Sequence, residues 1–324
     1  LLVGLGSCSD DETTGGGSGG GSSVTPIAEA NMPVRNPYLA AEHYSITHFN
    51  SAQSDAFPYS VKKGTFTVDP DECESGWSGP VNLMTLSSTD PDYMWGMSSD
   101  RVSYIYVGDG SFTRVGEAPL PGVQLRTSEQ LKMLVDDYNS TDELGSAVKG
   151  MLGDNPQFAM ASGNYVLCDK DNYAYSNIGS SVVRYRLKDA SDPTKGIEQD
   201  RICKLSDYDS NIVTLVGLVM TYDGNLVAVF GKGILILSRD LATVHDIYKL
   251  PEGQQITNSV AVEENNGIYL ASGSTTPNGK GLFQKIVWTG SKLSTDEADG
   301  AWQATYDGGP MAPSIKMGMG TGST

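Results

Sequence analysis

The chain has 324 residues, of which 22 are basic and 39 acidic, giving a formal net charge of −17 at pH 7. A field of that sign repels phosphate backbones and argues against nucleic acid as a partner. No apolar run approaches the roughly 18 residues of a membrane-spanning helix. The longest, 212–220, is strand-sized and carries Thr214 and Gly217.

Read in chain order, the first feature is an apolar run from Leu1 that ends at Leu5-Gly6-Ser7-Cys8 and is followed by the acidic Asp10-Asp11-Glu12 and a glycine-serine stretch. This order resembles the lipobox of bacterial lipoprotein signal peptides. The resemblance implies cleavage before Cys8 and acylation of that residue, since stable anchoring takes more than one acyl chain. Residues 1–7 then read as a signal remnant and 8–24 as an acylated cysteine with a flexible tether. The start at Leu1, without a basic n-region, reads as a missing N-terminus. By the same resemblance Ser9 permits export to the outer membrane, whereas the acidic run matches surface-export signals, so the side of the membrane stays open.

Residues 25–324 alternate short β-rich runs with Asp, Asn and Gly turns, the pattern of many antiparallel strands. The clearest stretch predicts strands at 216–220, 226–230, 234–237 and 243–250, with a tight turn at Tyr222-Asp223-Gly224-Asn225. Four hairpin-linked strands in about 40 residues match one propeller blade. Further units are predicted at 165–205, at 259–305 and, earliest in the chain, at 81–115. Helical spacing of Leu131, Leu134, Val135 and Tyr138, with Ser128 as the N-cap, and then of Leu144, Val148 and Met151, predicts a small helical insertion over about 127–152. The fold expected is all-β, a β-propeller of four-stranded antiparallel blades, ahead of a sandwich or β-helix. Four units fall short of a usual ring of roughly six to eight blades, so the ring reads as incomplete and the chain as truncated at the C-terminus.

His48-Phe49-Asn50-Ser51-Ala52-Gln53-Ser54-Asp55 and the segment 318–324 resemble the opening and middle of quinoprotein-like propellers. That superfamily includes pyrroloquinoline-quinone (PQQ) dehydrogenases, which use calcium, and noncatalytic envelope scaffolds. The family's calcium ligands, catalytic aspartate and vicinal cysteine pair find no counterpart here.

Chemistry-bearing residues are sparse. Asp207, Asp209 and Asn211 hold positions one, three and five of an oxygen-ligand calcium loop, but Ile212 stands where glycine is needed and Leu218 where a bidentate Glu is needed. Asp169 and Asp171 make a shorter version. Both loops read more readily as turns that use Asp and Asn for their backbone geometry. His43, His48 and His245 are scattered, and no Cys-x-x-Cys occurs. With Cys8 lipidated, Cys73, Cys168 and Cys203 remain. In an oxidising compartment a Cys168–Cys203 disulfide is one expectation and three buried thiols the other. Trp77, Trp95, Trp288 and Trp302 are either stacking platforms or packing between blades. The leading function is an outer-membrane envelope lipoprotein, bound to the membrane by its lipid, whose propeller is a binding scaffold for a protein or glycan partner. The alternative is a PQQ-dependent oxidoreductase. A glycan lyase or hydrolase is a third reading that needs paired carboxylates.

Overall fold

The computed structural model describes residues 32–41, 84–130 and 165–308, with isolated positions between 52 and 71 and between 140 and 147. Four antiparallel sheets follow one another along the chain. The first is β1 (Met84–Ser87), β2 (Tyr93–Met97), β3 (Arg101–Tyr106) and β4 (Thr113–Pro119); the second is β5 (Val166–Cys168), β6 (Ala174–Ile178), β7 (Ser181–Leu187) and β8 (Ile197–Lys204). The third is β9 (Leu215–Met220), β10 (Asn225–Phe230), β11 (Gly233–Ser238) and β12 (Val244–Lys249). In each, spatial order equals chain order, the simple up-and-down meander expected from hairpin turns.

The fourth sheet has six strands where the sequence predicts four. Its centre is β15 (Gly267–Ser274) against β16 (Lys280–Trp288). One edge is split between β13 (Gln254–Gln255) and β14 (Ala261–Val262), the other between β17 (Leu293–Ser294) and β18 (Trp302–Asp307). Two-residue strands leave no periodicity to read, so β13 and β17 escape a sequence pattern.

The central strands of the inner sheets are apolar on both faces, and that dictates how the sheets assemble. In β10, Leu226, Ala228 and Phe230 pack toward the second sheet, while Val227 and Val229 pack toward the fourth. All five are fully or almost fully buried. The first and second sheets meet through Trp95, Met97 and Tyr104 against Ala174, Val183 and Tyr185. The second and third meet through Tyr175 and Val182 against Leu218 and Leu235. The third and fourth meet through Val227, Ile234 and Ile236 against Ile268, Ile286 and Trp288. A strand sandwiched in this way reads as a continuous hydrophobic run rather than an alternating one.

The sheets are also alike in detail. In the first three, the ladder between third and fourth strand slips by one residue at the same place, after Tyr104, Arg184 and Ile236. Such bulges bend the strand and increase its twist, and here they mark equivalent positions from sheet to sheet.

Asn36, Leu39, Ala40 and Gln53 tie edge strands of two sheets. Leu39 bridges Asp169, and the Ala40 N–H donates to the Cys168 carbonyl at 3.0 Å. On β9, the Asn36 side-chain amide donates to the Met220 and Thr221 carbonyls, both at 3.1 Å, while Gln53 Oε1 accepts the Met220 N–H at 3.0 Å. Exposed strand edges are templates for wrong pairing, and these side chains occupy them. Gly224, at φ 88°, lies so close to the Tyr38 ring that a Cβ would come within 2.6 Å of it.

Within 127–152, residues 128–130, 142–143 and 146–147 are helical, and the rest of that predicted insertion lies outside the described residues. Its N-cap is Thr127 rather than Ser128. Thr127 Oγ1 accepts the Gln130 N–H at 3.2 Å and Gln130 Oε1 accepts the Thr127 N–H at 2.9 Å, a capping box.

The second and third sheets are also joined by buried charge. Asp169 is 0% exposed, and its Oδ2 accepts Arg239 Nη1 at 2.9 Å and the Tyr175 hydroxyl at 2.8 Å. Arg239→Ala leaves that carboxylate buried without its cation, and we expect a loss of about 3 kcal/mol, measured as a lower urea midpoint. A change below about 0.5 kcal/mol would show that the Tyr175 hydroxyl and the backbone N–H groups satisfy Asp169 without the cation.

Candidate binding surface

The loops predicted to hold calcium are built differently. Asp169 Oδ1 accepts the backbone N–H groups of Asp171 and Tyr173, each at 2.9 Å, and Arg239 Nη1 reaches both Asp169 and Asp171, the latter at 2.6 Å. The guanidinium already supplies the positive charge that a metal would bring. In the other loop, Asp209 Oδ1 accepts the backbone N–H and side-chain amide of Asn211 at 2.9 and 2.8 Å, and Lys249 pairs with Oδ2 at 2.7 Å. Asn211 therefore presents its amide N–H to Asp209 instead of both turning oxygens to a common centre. Asp207 points to solvent and pairs with Lys204 at 3.2 Å. The Lys249 ion pair, with help from the Asn211 N–H, lowers the Asp209 pKa. These are Asx turns with a resident cation, and among the described residues no group of three or more His, Cys, Asp or Glu side chains is placed to hold a metal ion.

The expected Cys168–Cys203 disulfide is also corrected. Both residues are free, buried thiols. Cys168 is on β5 and packs toward the first sheet, whereas Cys203 is on β8 and packs toward the third. Those strands are opposite edges of the second sheet, three strand spacings or about 14 Å apart, and a disulfide needs Cα atoms within about 7 Å. Burial pushes both thiols above their ordinary pKa.

Cys8, Cys73, His43, His48, Trp77 and the segment 318–324 lie outside the described residues, as does most of 48–55. His245 is 5.8 Å from the Trp288 ring. Of the remaining tryptophans, Trp95 and Trp288 are buried between sheets, with indole N–H groups donating to Asn172 Oδ1 at 2.9 Å and Asp223 Oδ2 at 2.8 Å. Trp302 is different: it is exposed.

Trp302 belongs to the face of the fourth sheet that points away from the third. The register fixes its neighbours. Trp302 pairs with Lys285, Ala304 with Phe283, Tyr269 with Lys285 and Ala271 with Phe283, so these side chains share one face. Phe283 is 42% and Trp302 39% exposed, and their rings meet edge to face at 5.3 Å. Tyr269 adds a second edge contact to Trp302 at 6.2 Å. Beside them Glu263 accepts the Tyr269 hydroxyl at 2.7 Å and pairs with Lys285 at 2.5 Å, while Lys285 also sits 5.5 Å above the Tyr269 ring. The Lys285 ammonium, with the Tyr269 hydroxyl, lowers the Glu263 pKa; in return Glu263 raises that of Lys285. Contiguous exposed aromatics rimmed by polar groups mark interaction surfaces. No sequence signal singles them out, because Phe283 and Trp302 meet only through the pairing of β16 with β18.

Two other features carry less. Asp100 and Arg101 are buried and paired twofold at 2.8 Å, with Arg101 also reaching Glu117 at 2.8 Å and Asp100 accepting the Arg126 N–H at 2.9 Å. This network ties the turn after β2 to the chain beyond β4. A cavity of about 580 Å³ lies between residues 118–124 and the β8 residues Ile197 and Gln199, and its lining contains no titratable side chain.

No family model matches this chain, and no curated protein matches it. Among solved structures, a chain of the mitotic checkpoint complex aligns with 63% of it at 11% identity and a TM-score of 0.37. The extracellular domain of a hybrid two component system from B. thetaiotaomicron aligns with 65% of it at 10% identity and a TM-score of 0.34. The aligned region spans 48% and 23% of those two chains. At that similarity neither bears on what this protein does.

The Glu263–Lys285 pair has a defined pH dependence. A carboxyl with a lowered folded-state pKa contributes stability that is complete above its unfolded value of about 4.3 and is lost as the pH falls through the folded value. Lys285→Gln should therefore cost at most about 1 kcal/mol at neutral pH, as expected for a partly exposed pair. The difference from the parent should vanish in acid, as followed by urea unfolding across a pH series. A difference that persists unchanged into acid would mean that the pair is not coupled.

Proposed function

We propose that this chain is a cell-envelope lipoprotein, held at a bacterial outer membrane by acyl chains on Cys8. In this reading its stacked sheets are blades of a β-propeller that serves as a binding scaffold for a protein or glycan partner. The observation that carries the scaffold reading is the aromatic face of Tyr269, Phe283 and Trp302, left open on an otherwise acidic molecule. Aromatic side chains supply large contact area at low entropic cost and dominate binding energies where they are enriched.

The disposition of the carboxylates favours the scaffold over the quinoprotein-like oxidoreductase. A PQQ dehydrogenase needs calcium ligands converging at the axis of the ring, yet Asp169, Asp171 and Asp209 are committed to Arg239 and Lys249. In a propeller the axis is bordered by the innermost strands, and here the free edges of β5 and β9 are taken up by Asn36, Leu39, Ala40 and Gln53. The described residues fit a filled centre better than a cofactor site.

Two measurements test this. The full chain made in a bacterial host should partition into detergent and take up labelled palmitate, and Cys8→Ala should abolish both; a Cys8→Ala chain that still carries label would remove the lipoprotein reading. Calorimetric titration with calcium and then PQQ should give no binding heat. Calcium-dependent quinone binding accompanied by dye-linked alcohol oxidation would replace the scaffold with the dehydrogenase.

A further inference from the structure

Among the described residues the last strand of each sheet has one free edge, and hydrogen bonding fixes which residues face it. In every sheet the residue just past that strand donates its N–H to the carbonyl of the residue just before the strand it pairs with. These bonds are Leu120 to Asp100 at 2.9 Å, Leu205 to Ser180 at 3.0 Å, Leu250 to Lys232 at 2.9 Å and Gly308 to Gly279 at 3.0 Å. In an antiparallel ladder the backbone groups of successive residues turn alternately toward and away from the partner strand. The residues turned outward are therefore Glu117 and Pro119 on β4, Ile202 and Lys204 on β8, and Ile247 and Lys249 on β12. On β18 they are Gln303, Thr305 and Asp307.

The first three edges are blunted and the fourth is not. Edge strands avoid unwanted pairing through bulges, lysine, proline and short length. Bulges at Val115, Asp200 and His245 end the outward run after two residues, and one of each two is Pro119, Lys204 or Lys249. Pro119 has no N–H to offer at all. In the fourth sheet residues 295–301 take the place of the bulge, and beyond them β18 runs for six residues in unbroken register with β16. Its one charge is Asp307 at the far end, paired with Lys280. Gln303 and Thr305 thus leave two consecutive outward positions without charge or proline, and every β18 residue but Tyr306 is exposed.

We infer that the free edge of β18 accepts an extended strand of another protein, antiparallel to it. The inference rests on reading the domain as a binding scaffold, and it takes the partner to be a protein rather than a glycan. What the edge presents at Gln303 and Thr305 is a row of backbone donors and acceptors, and another backbone complements such a row. The molecule already fills one of its own edges in this way. Residues 38–40 lie antiparallel along the end of β5, where Leu39 bridges Asp169, the Ala40 N–H donates to Cys168 and the Lys170 N–H donates to Tyr38 at 2.9 Å. Successive residues of an added strand face opposite sides of the sheet. One set lies beside Trp302, Ala304 and Tyr306, whose ring crosses Gly281 to reach the Ser272 carbonyl at 2.9 Å, and favours apolar or aromatic side chains. The other set lies beside Gln303 and Thr305 and favours hydroxyl or amide side chains. A second copy is disfavoured as the occupant, because molecules of net charge −17 repel each other.

The test is selection, on the full chain with Cys8→Ala, from a display library of short peptides that alternate apolar residues with Thr or Gln. Enriched peptides are expected to bind the parent and to bind Thr305→Pro about tenfold more weakly, since that variant deletes one outward N–H and leaves the bonds to β16 in place. Thr305→Lys should weaken them likewise, which keeps the result readable if the proline lowers the melting temperature. Methylating the backbone nitrogens of alternate residues in an enriched peptide should abolish binding in one of the two frames. Peptides that bind both variants as tightly as the parent overturn strand addition; if Trp302→Ala releases them, the scaffold reading survives. A library that yields no binder overturns it too, and a glycan array then decides the scaffold reading: binding there keeps it, and an empty array removes it as well. A dimer of the protein alone that Thr305→Pro dissolves gives the edge to a second copy and overturns the inference.

Discussion

An antiparallel sheet that is apolar on both faces cannot be stable alone, and that constraint organises this molecule. β10 offers water no polar face: Leu226, Val227, Ala228, Val229 and Phe230 are all buried. Each inner sheet therefore needs two neighbours, and the chain meets the need by repeating one meander. Stacking is favourable because burial of apolar area scales with the number of sheet faces covered. It is also specific, because one large side chain such as Trp95, Tyr175 or Phe230 in each layer must find room in the next.

The polar groups are confined to the turns, where they align the layers that apolar contact only holds together. Asn172 and Asn266 both adopt positive φ, at 62° and 60°, a conformation Asn tolerates better than most residues. Each reaches into the preceding sheet. Asn172 Oδ1 accepts the indole of Trp95, and Asn266 Oδ1 accepts the Tyr222 N–H at 2.7 Å. Between the second and third sheets the same task falls to the Asp169–Arg239 pair. Apolar surfaces slide; a buried hydrogen bond or ion pair between layers has one good register, because displacing it leaves a polar group unsatisfied.

This division explains what could be read in the sequence. The units of the first three sheets were legible because short apolar runs alternate with Asp, Asn and Gly turns, and in the third sheet the pattern located each strand to within about one residue. The turn aspartates were legible as turns. Their partners were not: Arg239 lies 70 residues from Asp169, and only the stacking of the third sheet on the second brings it there. Without that cation the spacing of Asp169 and Asp171, like that of Asp207, Asp209 and Asn211, also resembled part of a calcium loop. The Cys168–Cys203 pairing failed for a related reason, since proximity in sequence says nothing about which edge of a meander, or which face, a residue occupies. The exposed aromatics of the fourth sheet were hidden because tryptophan looks the same in a core and on a surface. What separates Trp302 from Trp95 and Trp288 is the presence of a sheet on the other side.

The ties made by Asn36, Leu39, Ala40 and Gln53 have a mechanical consequence. Any pull on the chain upstream of residue 32 enters the domain at Asn36, whose amide grips β9, and next at the Leu39 and Ala40 contacts with the edge of β5. Load is thus delivered to the two middle layers and not to an outer one. Layers pinned between neighbours are the hardest to peel, so the attachment is placed where tension must shear several interfaces at once instead of unzipping the stack from one end.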